Sequence, residues 1–591
     1  MKTNTRFVPV LALLGVACSQ SSPADKGGGG TTSSGTGGTT STGSGGKSTG
    51  GSGGTSSGTA GTTSGTGGGS GTGAGATGGV SASGGSGAGT AGTAGTPGTG
   101  GIGTGGAGGV SAGGSGGVAT GGESVGGGAG SGMTAGQGQG GGSPMACPTL
   151  PSAPLADKDI IQFNDNGGWC WYQDERAVVD TKAGKFVIGS VASGGSRDSD
   201  QEVVIYDIAS GDKKKFTLET DLNPDDHNAP AFFIRPDGGY SALWATHRDT
   251  CFSYYSNYDG TSWAAYKKYD WTANGCPWDQ DQNPNPPHAV TYANPWFLSA
   301  ESKAYAGVRS VSTSPALLVS SDAGSSWNFY GRLSSTKTVG YVSGYYKYWG
   351  NGTDRIDFVG TEAHPRDDDN SLWHGYYKGG KLYDSKDKVV DDNAGDTMAP
   401  DVSAFTSVFK TGTTLNGSAL HRMWNHDIVR YDDGTIAITG QGRTDFATST
   451  PSDSDPDKRM IYSRWDGSSW KTTYLVKAGP KLYPDEQDYT GLSAVVPDNP
   501  HIIFVSTTFD PRDDTTKFPK HEIFMGVTCD NGATFQWAPI TKNSTVDNLR
   551  PIVPKWDSSH LLLLWLKGTY STAQSYNLQV VGTTVLSPGA Q

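Results

Sequence analysis

The sequence predicts an all-β fold, a β-propeller of about seven blades, carried behind a long Gly/Ser/Thr-rich tether. Four observations predict it. Period-2 segments bounded by Gly, Asp and Asn turns recur at 177–190, 202–207, 231–245, 435–441, 502–507 and 561–566. No segment of ten or more residues carries a helical period. Four copies of one turn motif, S-x-D-x-G-x-x-W or a relative of it, recur at regular spacing. Finally, the composition changes abruptly near residue 145.

The turn motif is the Asp box. Ser320-Ser321-Asp322-Ala323-Gly324-Ser325-Ser326-Trp327 matches in full, and Thr528 to Phe535 (TCDNGATF) matches conservatively. Ser256 to Trp263 (SNYDGTSW) and Ser463 to Trp470 (SRWDGSSW) are degenerate relatives. Asp and Gly supply hairpin-turn chemistry, and the closing aromatic plugs the blade. The aromatic positions 263, 327, 470 and 535 fall 64, 143 and 65 residues apart, so the wide interval holds one blade without a box. A repeat near 64 over residues 147–591 gives about seven blades, or six if the terminal segments are long. The boxes are structural turns and carry no catalytic role.

The organisation expected is a signal over 1–18, a linker over 19–146 and one propeller domain over 147–591. Lys2 and Arg6 precede the apolar run 7–14, which is too short to span a bilayer, and Gly15-Val16-Ala17-Cys18 resembles a bacterial lipobox. Acylation of Cys18 would make an outer-membrane or cell-surface lipoprotein; ordinary cleavage would make a secreted protein. Between 25 and 145 the charged residues are Asp25, Lys26, Lys47 and Glu123, and aromatics are absent. Such a segment buries too little apolar surface to order itself. A flexible coil of about 120 residues spans on the order of 60 Å. The membrane is therefore met only through the lipid anchor.

A net charge of −12 argues against nucleic acid as a partner, and an anionic polysaccharide would need a local basic cleft. Beyond Cys18 the cysteines are Cys147, Cys170, Cys251, Cys276 and Cys529, an odd number that leaves at least one unpaired or metal-bound. Cys251–Cys276 and Cys147–Cys170 are plausible disulfides in an exported protein. No C-x-x-C marks a structural zinc site.

Chemistry-bearing residues concentrate in a few stretches. In Asp225-Asp226-His227-Asn228-Ala229-Pro230 through Thr246-His247-Arg248, two strands flank a turn at Asp237-Gly238. With 236 opposite 239, His227 and His247 fall within one position of being direct cross-strand partners. Histidines bonding loop carbonyls are the structural alternative. Thr291 to Trp296 (TYANPW) and the return strand with Arg309 read as a hairpin turning near Ser302-Lys303. That register does not bring Tyr292 to Arg309, and a core tyrosine is an equal reading of Tyr292. Tyr345 to Tyr348, Glu362 to Arg366 (EAHPR), Trp373-His374 and His421 to His426 (HRMWNH) line a sugar cleft, bind a metal or are ordinary loops.

Arg, His and Tyr suit β-elimination from a 4-linked uronic acid. A cation neutralises the carboxylate, a base takes the C5 proton and an acid protonates the departing O4. Hydrolysis would want paired carboxylates at a set separation, and no distinctive pair is evident.

The series GWCWYQDERA (168–177), DDHNAP, ATHR, TYANPWFLSAE, DRIDFVGTEAH, HPR, EQDYTG and DNLRP resembles the BNR-4 family over residues 159–583. That family includes seven-bladed propeller lyases, the ulvan lyases and the L-rhamnose-α-1,4-D-glucuronate lyases. The resemblance implies cleavage of an L-rhamnosyl-(1→4)-glucuronate linkage. It implies His227 and Tyr292 as the proton-transfer residues, with base and acid unassigned, Arg309 as the carboxylate neutraliser and His247 as support. Arg248, Asn228, His364, Arg366 and Tyr348 are the candidate substrate contacts. No cofactor is expected for catalysis, the metal ligands are unassigned, and a structural Ca2+ or Zn2+ is compatible. The partner expected is a uronic-acid-containing polysaccharide, bound by a monomer. The loop 271–287 is peculiar to this chain. A sialidase-like glycoside hydrolase, against which stands the lack of an arginine-triad signature, and a non-catalytic sugar-binding propeller are the rival readings.

Overall fold

The computed structural model describes residues 147–220, 222–247, 249–274, 276, 290–310, 314–335, 344–445, 455–484 and 486–586. The signal and tether expected over 1–146 lie outside them, as do Arg248 and most of the loop 271–287. Helical residues among those described are confined to five three-residue 3-10 turns.

Seven antiparallel sheets succeed one another along the chain, which resolves six against seven blades in favour of seven. Blade 1 begins with the inner strand Ala177–Asp180, blade 2 with Ala231–Ile234, blade 3 with Thr291–Leu298 and blade 4 with Tyr346–Gly350. Ser418–Arg430, Ser493–Val495 and Asp547–Ile552 are the inner strands of blades 5, 6 and 7. The last blade is completed from the other end of the chain. Its outer strand, Ile161–Asn164, pairs with Ser575–Thr583, Ile161 opposite Gly582. Asn164 then donates to Ser190 at 3.0 Å and Glu202 at 2.8 Å in blade 1, closing the ring.

The inner strands are buried on both faces, and their apolar residues form clusters between neighbouring blades. Phe232, Trp244 and Val203 pack between blades 1 and 2, and Leu243, Leu318 and Trp327 between blades 2 and 3. Each large buried side chain of this kind contributes about 1.5–3 kcal/mol.

All four Asp-box motifs fall in the turn between the third and fourth strands of their blades. In the full box, Asp322 Oδ1 accepts from Ser326 N–H at 2.8 Å, and Ser320 Oγ accepts from Gly324 N–H at 2.7 Å. Blade 6 repeats this with Thr528, Asp530, Gly532 and Thr534. Gly324 has φ +86° and abuts the preceding blade, where an added Cβ would lie 2.4 Å from Ser241 Oγ. Gly532 likewise abuts Tyr462 of blade 5, so these two boxes register blades 3 and 6 against their predecessors, whereas Gly260 and Gly467 of the degenerate relatives face open space. Blade 4, in the wide interval, uses a tight Gly379-Gly380 turn instead.

Cys251–Cys276 forms as expected, but Cys147 pairs with Cys529 rather than Cys170. The reason is topological. Cys147 runs along blade 6, where Leu155 N–H donates to Ile540 O at 2.9 Å, whereas Cys170 sits buried in the central cap.

Candidate active site

One segment builds the centre of the site. Residues 168–176 cross the mouth of the ring and are stitched to five blades. Trp169 Nε1 donates to Arg550 O at 3.4 Å in blade 7, and Gln173 Nε2 to His227 O at 2.5 Å before blade 2. Asp174 N–H donates to Asn294 Oδ1 at 2.9 Å in blade 3, Lys347 Nζ to Trp171 O at 2.6 Å in blade 4, and Tyr172 Oη to Asn425 Oδ1 at 3.0 Å in blade 5. Trp169, Cys170, Trp171 and Tyr172 are all buried.

On this cap rests the histidine pair. The hairpin register places Ala231 opposite Leu243, which continues to His227 opposite His247. Their rings stack with centroids 3.8 Å apart and an interplanar angle of 12°. Asp225 holds both. It caps the short turn Asp226–Asn228, its Oδ1 accepting from His227 N–H at 2.9 Å and lying 2.5 Å from His227 Nδ1. Its Oδ2 lies 2.9 Å from His247 Nδ1 and also receives Gln574 Nε2. With Nδ1 on Asp225, the Nε2 of His227 is the exchangeable atom. It lies 3.3 Å from Tyr489 Oη, and the His227 and Tyr292 ring centroids are 5.7 Å apart.

Asp226 completes the electrostatics. Arg550 Nη1 lies 2.5 Å from its Oδ2, and Tyr570 Oη donates to the same oxygen at 3.0 Å. Burial pulls the His227 imidazole down, but the interactions with Cys170 first, then Asp225, Tyr489 and Tyr292, outweigh burial and hold its pKa well above the usual range. Burial raises Asp225, yet the two imidazoles hold it well below the usual carboxylate range. Asp226 is likewise pushed up by burial and brought down further by Arg550 and His227.

Tyr292 reaches the cluster through a bulge. Thr291 pairs with Arg309 and Asn294 with Gly307, so the register shifts between them, and Tyr292 takes φ +69°. A non-glycine residue in that region is held there by its surroundings, and bulges commonly re-aim side chains beside active sites. The bulge turns the Tyr292 ring under Arg309, whose guanidinium carbon lies 4.9 Å from the ring centroid. Arg309 donates to Tyr345 Oη at 3.1 Å and Thr291 Oγ1 at 3.0 Å. Tyr292 Oη is buried and makes no hydrogen bond. Burial raises its pKa well above the ordinary phenol value, against the pull of His227 and Arg309.

His227, His247, Tyr292 and Arg309 therefore form one cluster. Asn228 is buried beside it, its Nδ2 donating to Asn223 O at 3.0 Å. His364 packs on Tyr345 and Trp424 at centroid distances of 5.0 and 5.4 Å, on the far side of the cap. Arg366 pairs with Glu486 across the rim. Tyr348 lies deeper, its ring against Gly307, where an added Cβ would be 2.5 Å from Tyr348 Cζ. It borders a small cavity with Tyr292 and Arg309. His374 is remote, bonded to Asp357 and Ser385 within blade 4.

Sequence reasoning gave no role to Asp225, Tyr489 or Arg550, and named Tyr345 only within a stretch offered as a cleft lining. Tyr489 and Arg550 stand in the quoted EQDYTG and DNLRP segments, which was the available signal. Two trios have ligand atoms within 4.8 Å of one another, Cys170–Asp226–His227 and Asp225–His227–His247.

No protein-family model matches the chain, and no curated protein matches it. Among solved structures it is similar to a PL25 ulvan lyase bound to -[GlcA(1-4)Rha3S]-, at 12% identity over 71% of this chain and 94% of that one, with TM-score 0.50. It is also similar to the polysaccharide lyase Uly1, at 11% identity over 71% of this chain and 92% of that one, TM-score 0.45. The NanB sialidase from Streptococcus pneumoniae follows at 12% identity, 73% and 72% coverage and TM-score 0.34. At these identities the likeness concerns the fold, which is that of a seven-bladed propeller.

Proposed function

We propose that this chain is an exported polysaccharide lyase that cleaves an L-rhamnosyl-(1→4)-glucuronate linkage by β-elimination. The observation that carries the reading is the convergence of an imidazole, a phenol and a guanidinium, His227, Tyr292 and Arg309, from two different blades. Arg309 neutralises the uronate carboxylate, so that charge developing toward C5 is tolerated. One of His227 and Tyr292 removes the C5 proton and the other protonates O4. The C4–O4 bond breaks and a C4–C5 double bond forms, with no water consumed. His247 and Asp225 keep His227 in place. Burial of the three groups strengthens the pull of Arg309 on a carboxylate. It also requires local opening of the face before a sugar reaches them, a motion of the kind that gates many enzymes.

The likeness in fold to a propeller lyase bound to -[GlcA(1-4)Rha3S]- supports a carbohydrate polymer containing glucuronate and rhamnose as the class of substrate to test. The chemistry needs no cofactor, and the enzyme works as a monomer. Lipid attachment at Cys18 and the Gly/Ser/Thr tether would hold it at the cell surface within reach of extracellular polymer.

The test is turnover of ulvan and of gum arabic by the full chain, followed by the ultraviolet absorbance of the unsaturated uronate. His227→Ala and Tyr292→Phe are each expected to lower the rate by about 10²–10⁴-fold. Folded wild-type protein that releases reducing ends without that absorbance would turn the assignment to hydrolysis. Binding without turnover, surviving His227→Ala, would turn it to a sugar-binding module.

A further inference from the structure

Cys170 stands out among the groups the elimination does not use. It is fully buried and unpaired, and it lies beside the imidazole on which the chemistry depends. Its sulfur, a carboxylate oxygen of Asp226 and a ring nitrogen of His227 all lie within 4.8 Å of one another. Asp226 offers the carboxylate. Its Oδ2 is taken by Arg550 and Tyr570, and its buried Oδ1 lies 2.8 Å from His227 Nδ1, so carboxylate and imidazole already converge beside the sulfur.

The neighbouring trio, Asp225–His227–His247, is different. There both Nδ1 atoms already lie within hydrogen-bond distance of Asp225. What the Cys170 trio adds is the thiol, a soft ligand that the Asp225 trio lacks. Thiolate, imidazole and carboxylate together are the ligand set of zinc and its softer relatives, and three protein ligands leave a fourth position open.

We propose that Cys170, Asp226 and His227 form a binding site for a soft divalent cation, Zn2+ or Cd2+, whose occupation switches the enzyme off. Binding forms bonds from the metal to Cys170 Sγ, an Asp226 oxygen and a His227 nitrogen. The thiol proton and the proton on the ligating His227 nitrogen leave to solvent, and no redox change occurs. His227, once ligated, has given up a lone pair and cannot exchange protons as the elimination requires. Ca2+ and Mg2+, which prefer all-oxygen sites, are not bound here. The inhibitory consequence rests on the proposed lyase reading; the site itself does not.

The experiment uses the full chain, wild type and Cys170→Ser, with Co2+ as the spectroscopic probe and Zn2+ as the inhibitor, each after long preincubation because the ligands are buried. Wild type is expected to develop a near-ultraviolet sulfur-to-cobalt charge-transfer band that Cys170→Ser lacks. Inhibition of elimination by Zn2+, read relative to each protein's own metal-free rate, is expected to weaken by about tenfold or more in Cys170→Ser. A cobalt band in a protein without lyase activity would keep the site and reject the functional reading. Elimination activity with no cobalt band, the same band in both proteins, or equal Zn2+ inhibition of both would overturn the inference.

Discussion

At the scale of single residues, the setting of His227 dictates a pH dependence. The charge around its imidazole holds the proton more tightly than usual, so the pH limb that reports it lies above the ordinary imidazole range. If His227 is the base, kcat/KM rises with pH through that limb; if it is the acid, kcat/KM falls there. Asp225 is among the causes of the raised pKa, so Asp225→Asn in metal-free buffer is expected to move the limb to lower pH and reduce the rate. An unmoved limb would show that another group titrates. A second residue-scale consequence concerns stability. Burial and the nearby Asp174 push the Asp427 carboxyl up to about 6, despite the pull of Lys347. A carboxyl raised in the folded state favours folding most below its unfolded pKa, and loses that contribution as pH rises through about 6. Thermal unfolding of wild type against Asp427→Asn is therefore expected to show the variant gaining relative stability between about pH 4 and about pH 6. A pH-independent difference would contradict this.

At the scale of elements, legibility in the sequence followed local rules. The His227–His247 pairing was readable because a short turn fixes the register of a hairpin; the turn holds three residues between Arg235 and Gly239 rather than two, which accounts for the error of a single position. The Tyr292–Arg309 contact was not, because a bulge between Thr291 and Asn294 breaks the pairing rule on which such reasoning depends. Asp225 read as one of two adjacent acids, and only the capped turn reveals that it bridges both imidazoles. The Asp boxes were readable as turns, but not that Gly324 lies against the preceding blade. Gly324→Ala is expected to lower stability by about 1–3 kcal/mol, since the position combines a left-handed backbone with a clash at Ser241. A loss below about 0.5 kcal/mol in denaturant unfolding would mean that the two blades separate easily there.

For the whole molecule, the distant parts of the site come together only through ring closure. Arg550 reaches Asp226 from a position 324 residues away, and Tyr570 from 344. No sequence spacing signals such a contact. The Cys147–Cys529 bridge, with a separation of 382, escaped for the same reason, since proximity in the chain favoured Cys170. Closure also makes a prediction. Removing residues 1–146 is expected to leave unfolding of the propeller unchanged, whereas removing 1–164 deletes the outer strand of blade 7 and its bonds to blade 1. The longer deletion should unfold at clearly lower denaturant, and equal midpoints would contradict closure by Ile161–Asn164.

The central claim is that this propeller breaks a rhamnosyl–glucuronate bond without water, and the structure of the product tests it most directly. Oligosaccharides released from ulvan or gum arabic by the full chain would be examined by mass spectrometry and ultraviolet absorbance, with Arg309→Gln alongside. The account predicts a C4–C5 unsaturated uronate at the new non-reducing end, lighter by one water than a hydrolytic product, and a loss of about 10²–10³-fold in Arg309→Gln. A saturated uronate at that end would contradict it.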